Sequence, residues 1–318
     1  MSTGTAVRTH PFQTDPVRVD PYEHLRFIDE TSGVLRPTPH PARAVDTGPC
    51  TPERDIELDP EMNDLFAWLC DRADVRMDHY RRSVFQRRAG ACLRAVRCRS
   101  YAEALTLARR DPAQADRMLD AMMVGMTSFF RDAAVFHALE KRLSRWADGS
   151  ADRPGRRSIL SVGCSNGAEV YSCAMLLDTL GLLGRVRLTG IDCRPGAIGA
   201  ARAARYRAES AEGLPASLLE TYFVAGQGCL HVRDDIRAAC EWSVRDAFAD
   251  HGPGPHDVVL CRNLAIYLSA PGASRLWAHM ASQMPAGGIL VVGKAERPSA
   301  DLFWRIGPCL YERKGSGS

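Results

Sequence analysis

The chain has 318 residues, and its 41 lysines and arginines nearly balance its 38 aspartates and glutamates, for a formal net charge of +3. This balance excludes a bulk charge that would by itself indicate nucleic-acid or membrane binding, and the length leaves room for two domains. The eleven cysteines form no CxxC pairs and show no histidine spacing of a zinc site, so we expect free thiols in a reducing cytoplasm and no bound metal.

Residues 1–55 are rich in proline, threonine and arginine and have few periodic apolar positions, which predicts a mostly disordered tail. The tail begins without the apolar core of a signal peptide, and no stretch reaches the roughly 18 apolar residues that span a bilayer. We therefore expect a cytoplasmic protein without direct membrane insertion.

Residues 56–145 are predicted to form a helical domain and a linker helix. Apolar residues recur at helical spacing from Met62 to Leu143, with a break at Asp111-Pro112, and Phe129–Asp132 is expected to open the last helix. Arginines are concentrated between positions 72 and 110. They indicate either solvated helix faces or a docking face for an acidic partner, and the pattern alone leaves both open.

Residues 146–318 are predicted to form an α/β domain. After a linker at 149–157, apolar strands at 158–162, 187–191, 258–261 and 288–292 alternate with helices at 169–181, 195–205 and 272–284. This alternation predicts a Rossmann-like, mostly parallel sheet with helices on both faces. Between Tyr206 and Trp242 the alternation lapses, and a small antiparallel insertion is expected there.

The segment from Ile159 to Ser172 is the first strand, turn and helix of a nucleotide-binding domain. Its turn has glycines at Gly163 and Gly167, in the pattern G-x-x-x-G rather than G-x-G-x-x-G. The next strand ends at Asp192, where such folds place an acid for ribose hydroxyls. The turn favours S-adenosylmethionine (AdoMet), which has no pyrophosphate, but leaves a dinucleotide open. At the end of a later strand, Arg262 and Asn263 form either a second part of the site or a plain turn.

Five segments in order resemble the CheR-type chemoreceptor glutamate methyltransferases, which are AdoMet-dependent. They are Met126-Thr-Ser-Phe-Phe-Arg-Asp132, similar to T-x-F-F-R-D/E; Gly163 to Ser172, similar to G-C-S-x-G-E-E-P-Y-S; Gly190-Ile-Asp192; Cys261-Arg-Asn-Leu-Ala-Ile-Tyr267, similar to C-R-N-x-x-I-Y; and Gly293-Lys-Ala-Glu296, similar to G-x-S-E. The first and fourth together are specific. The resemblance implies a class I AdoMet-methyltransferase fold with a small helical N-terminal domain and a short β insertion.

The resemblance also implies roles for individual residues. The AdoMet pocket would be lined by Thr127, Arg131, Glu169, Asp192, Asp246, Ala247, Arg262 and Asn263, with Asp192 on the ribose and Asp246 beside the adenine. Arg131 would hold the incoming carboxylate and Tyr267 would lie near the transferred methyl group, so these two are the predicted catalytic residues. The implied partners are the cytoplasmic helices of methyl-accepting chemoreceptors, with no nucleic acid, and the implied state is a monomer.

The chain departs from the family pattern at several positions. Gly125 stands where asparagine is common, Ala168 and Val170 replace a glutamate and a proline of the turn, and Ala295 replaces a serine. These departures leave two alternatives open: a catalytically weak module that binds AdoMet or S-adenosylhomocysteine (AdoHcy), and a carboxyl methyltransferase with a different acceptor. A nicotinamide oxidoreductase would share the glycine turn but would leave the C-R-N-x-x-I-Y segment unexplained.

Overall fold

The computed structural model describes residues 57–123, 125–147, 156–226, 228–251 and 254–315. The predicted tail at 1–55 and most of the predicted linker lie outside these described residues. The helices are Pro60–Arg72 (α1), Arg82–Val96 (α2), Tyr101–Arg110 (α3), Pro112–Met122 (α4), Ala133–Ala147 (α5), Ala168–Thr179 (α6), Pro195–Ala203 (α7), Ala216–Tyr222 (α8), Asp234–Ala238 (α9) and Ala270–Ser282 (α10).

Capping side chains fix the starts of three N-terminal helices, α1, α3 and α4. The Asp59 carboxylate accepts from the Met62 N–H at 3.1 Å, and the Ser100 hydroxyl accepts from the Glu103 N–H at 3.2 Å. Asp111 caps α4 through the Ala113 N–H at 2.9 Å, and proline follows it. These contacts satisfy N–H groups that have no partner within the helix. The predicted break at Asp111 is confirmed, because α3 ends directly before it and α4 begins directly after it.

Among the described residues, seven strands form one sheet in the order β6-β2-β1-β7-β8-β10-β9. Their bounds are Arg157–Val162 (β1), Val186–Asp192 (β2), Cys240–Val244 (β6), Val258–Cys261 (β7), Ile289–Val292 (β8), Phe303–Gly307 (β9) and Leu310–Arg313 (β10). All pairs are parallel except those of β10 with β8 and β9, so the predicted sheet type is confirmed. The strand order reverses at β1, and ligands bind at the carboxyl ends of strands beside such a point.

Two apolar cores cover the two faces of this sheet. Successive residues of β1 point to opposite faces, so Ile159 packs into the core that contains Met175 of α6, and Leu160 into the core that contains Met280 of α10. The second core continues into the N-terminal helices, where Phe66 is fully buried. The helical domain therefore packs directly on the α/β domain.

The structure corrects several predicted boundaries. The insertion is antiparallel as predicted, but it has three strands, β3 (Arg205–Arg207), β4 (Phe223–Gly226) and β5 (Cys229–Val232). The predicted helix at 195–205 ends earlier because Ala204 adopts a left-handed conformation with φ of 53°. Phe129–Asp132 does not open α5, since positive φ angles at Phe130 and Asp132 place it in a turn. The predicted domain boundary after residue 145 falls inside α5 and stays a prediction.

Candidate active site

A cavity of about 450 Å³ lies at the carboxyl ends of the central strands, between the sheet and the helical domain. This volume is within the range of about 300–1,000 Å³ that is usual for small-molecule sites. All nine predicted site residues line the cavity: Thr127, Arg131, Glu169, Asp192, Asp246, Ala247, Arg262, Asn263 and Tyr267. The sequence segments that contain them, from the T-S-F-F-R-D turn to the C-R-N-x-x-I-Y turn, therefore meet at one place.

The glycine turn between β1 and α6 forms one wall of the cavity. Gly163 and Gly167 have φ angles of 69° and 85°, which side chains other than glycine rarely adopt. A Cβ at Gly167 would also lie 2.5 Å from the Trp242 ring. The turn aims the Ser165 N–H at the Asp192 carboxylate, 2.9 Å away. The glycines thus permit the close approach of the first turn to the end of β2.

Asp192 is a buried carboxylate with several donors around it. Both of its oxygens are engaged by Arg194: the backbone N–H and Nε donate to Oδ1 at 3.0 and 2.9 Å, and Nη2 donates to Oδ2 at 3.1 Å. Only 5% of Asp192 and 8% of Arg194 are exposed. Burial alone would lower the pKa of Arg194, but the adjacent Asp192 carboxylate raises it. Sequence reasoning identified Asp192 and missed Arg194.

Asp246 follows the end of β6 and lines the cavity. It is 4% exposed, and its Oδ1 accepts from the Phe248 N–H at 2.9 Å. Burial raises the pKa of this carboxyl, and the backbone N–H donors near it act to lower it. The Phe248 ring packs against His79, at 4.2 Å between centroids, which anchors the loop to the helical domain.

Arg262 connects three turns at the floor of the cavity. Nη1 donates to Glu169 Oε2 at 3.0 Å, and Nη2 donates to Asp132 Oδ2 and to the Arg131 carbonyl, both at 2.8 Å. The side chain is only 2% exposed. Lys294, in the segment that is similar to G-x-S-E, forms an ion pair with Asp132. Arg262 therefore orders the floor of the site through buried, charge-assisted hydrogen bonds.

Glu296 has a structural role that sequence reasoning did not assign. Its two oxygens accept from four backbone N–H groups, those of Gly293, Asn263, Leu264 and Ala265, at 2.6–2.9 Å. Burial raises the pKa of this carboxyl, and the four N–H groups act in the opposite direction. The Gly293 to Glu296 segment was recognised as a motif, but only the structure shows that it holds the C-R-N-x-x-I-Y turn, where Asn263 has a φ of 59°.

Arg131 and Tyr267, the predicted catalytic residues, are half-buried at the mouth of the cavity. Arg131 Nη1 donates to the carbonyl of Met126, a residue that is 82% exposed. Burial raises the pKa of Tyr267, while the charges of Arg131 and of Arg88 in α2 act to lower it. The mouth is therefore close to the arginine-rich face of the helical domain.

The cavity offers buried acceptors, buried cations and apolar walls, a combination that fits a polar organic cofactor. No group of three or more histidine, cysteine, aspartate or glutamate side chains in the described residues is placed to bind a metal ion. None of the helices in the described part of the chain combines the length and apolar character that a membrane crossing requires.

Comparison with known proteins finds family matches for both the helical part and the α/β part of the chain. The family described as CheR methyltransferase, SAM binding domain, matches residues 125–303, and the CheR methyltransferase all-alpha domain matches residues 60–123. The chain is 29% identical over 264 residues to the chemotaxis protein methyltransferase of Klebsiella aerogenes, covering 76% of this chain and 86% of that protein. It is 30% identical over 229 residues to chemotaxis protein methyltransferase 2 of Pseudomonas aeruginosa, covering 69% and 80%. For the Escherichia coli chemotaxis protein methyltransferase the identity is 26% over 238 residues, covering 72% and 81%.

Proposed function

The chain belongs to the CheR family of AdoMet-dependent methyltransferases, and we propose that it methylates glutamate carboxylates on the cytoplasmic helices of methyl-accepting chemoreceptors. The observation that supports this proposal is that all nine predicted residues line one and the same cavity. In this proposal the enzyme is a cytoplasmic monomer, with receptor docking assigned to residues 56–145 and methyl transfer to residues 146–318.

Within the cavity, we assign the cofactor to the walls formed by the glycine turn, β2 and the loop after β6. Asp192 would accept from ribose hydroxyls, and Asp246 and Ala247 would lie beside the adenine. Thr127, Glu169, Arg262 and Asn263 would complete the pocket, with Arg262 acting through the turns it connects. When bound, AdoMet supplies an electrophilic methyl group on a positively charged sulfur.

The acceptor needs orientation rather than deprotonation. A glutamate side chain with an ordinary pKa near 4.3 is already ionised at pH 7, so methyl transfer to it requires no general base. Arg131 at the mouth would hold the acceptor carboxylate, and Tyr267 would position it against the methyl group. Orientation of this kind contributes up to roughly 7–11 kcal/mol to catalysis. Removing water from the carboxylate helps further, because its charge disappears as the ester forms.

Receptor docking is assigned to the exposed arginines of α2. Arg82, Arg87 and Arg94 are exposed on this helix, which contributes Val84 to the cavity wall. Arg88 is different, because its Nε and Nη2 donate to the Ala121 carbonyl at 3.0 and 2.7 Å and so join α2 to α4. An acidic receptor helix would complement the charge of the exposed arginines in a helix-on-helix contact.

The decisive experiment is transfer of labelled methyl from AdoMet to cytoplasmic fragments of the host's chemoreceptors. We expect label that is released by alkali, as a carboxyl methyl ester is. The matched control is the same fragment with glutamine at the candidate glutamates, which should take up no label. Binding of AdoHcy without label on any receptor fragment would contradict the proposed acceptor and leave the cofactor site intact.

A further inference from the structure

Arg194 forms part of the cavity wall, although neither the motifs nor the resemblance assigns it a role. Its guanidinium is fixed on one side, where Nε and Nη2 contact the two Asp192 oxygens and Nη2 also donates to the Ser165 hydroxyl at 3.2 Å. The third nitrogen, Nη1, donates to no partner among the described residues. A buried arginine is thus held by two of its nitrogens, while the third has donors available at the wall of the cavity.

The position of Nη1 coincides with the space of a side chain at Gly125. A Cβ built on Gly125 would lie 2.2 Å from Nη1, 2.6 Å from Nη2 and 2.7 Å from Cζ of Arg194. Such distances are impossible for non-bonded atoms, so a side chain at position 125 and this arrangement of Arg194 exclude each other. The family pattern commonly has asparagine at position 125. In this chain the guanidinium of Arg194, the residue directly before α7, occupies that space instead.

We propose that Arg194 is a cofactor-contacting residue, whose Nη1 donates a hydrogen bond to an oxygen of the bound cofactor in place of a side chain at position 125. The inference rests on the proposed assignment of AdoMet to this cavity. A ribose hydroxyl or the carboxylate of the methionine part supplies the acceptor oxygen. Because the bidentate contact to Asp192 fixes the guanidinium plane, this donor is already oriented before it meets the ligand.

The charge of Arg194 has a second consequence for ligand choice. Its contact with Asp192 makes this part of the wall a neutral ion pair. Removal of Arg194 would leave a buried, uncompensated carboxylate beside the ligand. AdoMet carries a positive sulfonium that AdoHcy lacks, so the uncompensated negative charge of Asp192 would favour AdoMet over AdoHcy. A residue that only supports the fold would not change this ratio.

The test measures AdoMet and AdoHcy affinities by calorimetry for the full-length protein and its Arg194→Ala, Gly125→Asn and double variants. Arg194→Ala should weaken AdoHcy binding about tenfold or more, as expected for a lost charged hydrogen bond, and should weaken AdoMet less. Gly125→Asn alone should lose most affinity through the steric conflict. The double variant should recover affinity relative to Gly125→Asn, because the asparagine then has room.

Two further variants separate a binding role from a folding defect. Arg194→Lys keeps the charge and loses the two-pronged contact, so it should retain the wild-type AdoMet to AdoHcy ratio at reduced affinity. Arg207→Ala removes an exposed arginine on β3 and should change neither affinity. Unchanged AdoHcy affinity in Arg194→Ala, or no recovery in the double variant, would overturn the inference. Failure of the wild-type protein to bind either ligand would overturn the proposed function together with it.

Discussion

Arg262 Nη1 donates to Glu169 Oε2 at 3.0 Å, a hydrogen bond that joins the turn after β7 to the start of α6. The same guanidinium reaches Asp132 in the turn before α5 at 2.8 Å. Three segments that are far apart in the sequence are therefore positioned by one cation. The guanidinium also lies 5.7 Å from the centroid of the Phe136 ring, so it is enclosed by acids and an aromatic face.

Arg262→Ala should lower the free energy of unfolding by about 3–5 kcal/mol, because it leaves the Glu169 and Asp132 carboxylates without their buried partner. It should also abolish AdoHcy binding, since both turns line the cavity. Urea unfolding and calorimetry measure these effects. Arg207→Ala, in which an exposed arginine is removed, is the control and should change stability little. Similar unfolding curves for the two variants would contradict the structural role of Arg262.

Glu296→Gln should reduce stability and slow catalysis. The carboxylate accepts from four N–H groups, whereas an amide has one oxygen, and its NH₂ group would face backbone donors. We expect a loss of about 3–6 kcal/mol in unfolding free energy, from two charge-assisted hydrogen bonds. Because the turn ends at Tyr267, kcat should fall more than the AdoMet KM rises. Glu209→Gln removes an exposed carboxylate and serves as control; an equally small effect in both variants would refute the prediction.

The central strands could be predicted because burial on both sides makes them continuous apolar runs. Val258–Cys261 was predicted with its exact bounds, and all four of its residues are buried. The edge strand Cys240–Val244 was missed, since it mixes Glu241 and Ser243 with apolar residues and is only partly buried. Strand β3 was missed for a similar reason, because a single buried residue, Tyr206, stands between two exposed arginines.

The candidate site shows the same division between local and tertiary information. The nine site residues were predicted because the resemblance to the family assigned a role to each of them, and seven of the nine lie in the five segments that carry the resemblance. Arg194 precedes a proline at a helix start and has no local feature of a binding residue. Its importance depends on Gly125, which approaches it only through the tertiary fold. Glu296 likewise depends on backbone N–H groups contributed by a distant turn.

Tyr267→Phe should slow methyl transfer with little effect on cofactor binding. The residue is at the mouth, so we expect AdoHcy affinity within about twofold of wild type and a kcat at least about tenfold lower.

Asp192→Ala should behave in the opposite way and weaken AdoMet binding by about tenfold or more, since it removes a buried acceptor. Calorimetry and initial rates distinguish the two. Equal AdoMet affinity in wild type and Asp192→Ala would contradict the pocket assignment.

Charge reversal at Arg87 and Arg94 should raise the receptor KM without changing AdoHcy affinity. The two residues are exposed and lie on one face of α2, at the i and i+7 positions. The receptor KM of the wild-type enzyme should also rise with salt, and this dependence should weaken in the variant. Arg207→Glu is the matched exposed control. Reversal at Arg88 should instead destabilise the fold, because that side chain donates to the Ala121 carbonyl. An unchanged receptor KM would exclude this docking face.

Two buried histidines of the α/β domain predict acid sensitivity. His251 Nε2 contacts the Ala247 carbonyl at 3.1 Å, and His256 Nδ1 contacts the Ser158 hydroxyl at 2.8 Å. Burial, with smaller contributions from nearby positive groups, lowers the pKa of each histidine to about 4 from 6.5. The unfolded chain therefore binds more protons than the folded protein between pH 6.5 and 4. Stability should be full above pH 6.5 and should fall as the pH approaches 4, by on the order of 3 kcal/mol for each histidine.

Urea unfolding from pH 7.5 to 4.5 measures this loss. His251→Phe removes one titrating group, so the decline in unfolding free energy with acid should become shallower, even if the variant is less stable at pH 7.5. His137→Gln, at a position whose side chain is 45% exposed, is the control and should keep the wild-type slope. Because His251 bonds to Ala247, which lines the cavity, AdoHcy affinity should fall over the same pH range. A slope in His251→Phe equal to that of wild type would show that His251 is not a source of the acid sensitivity.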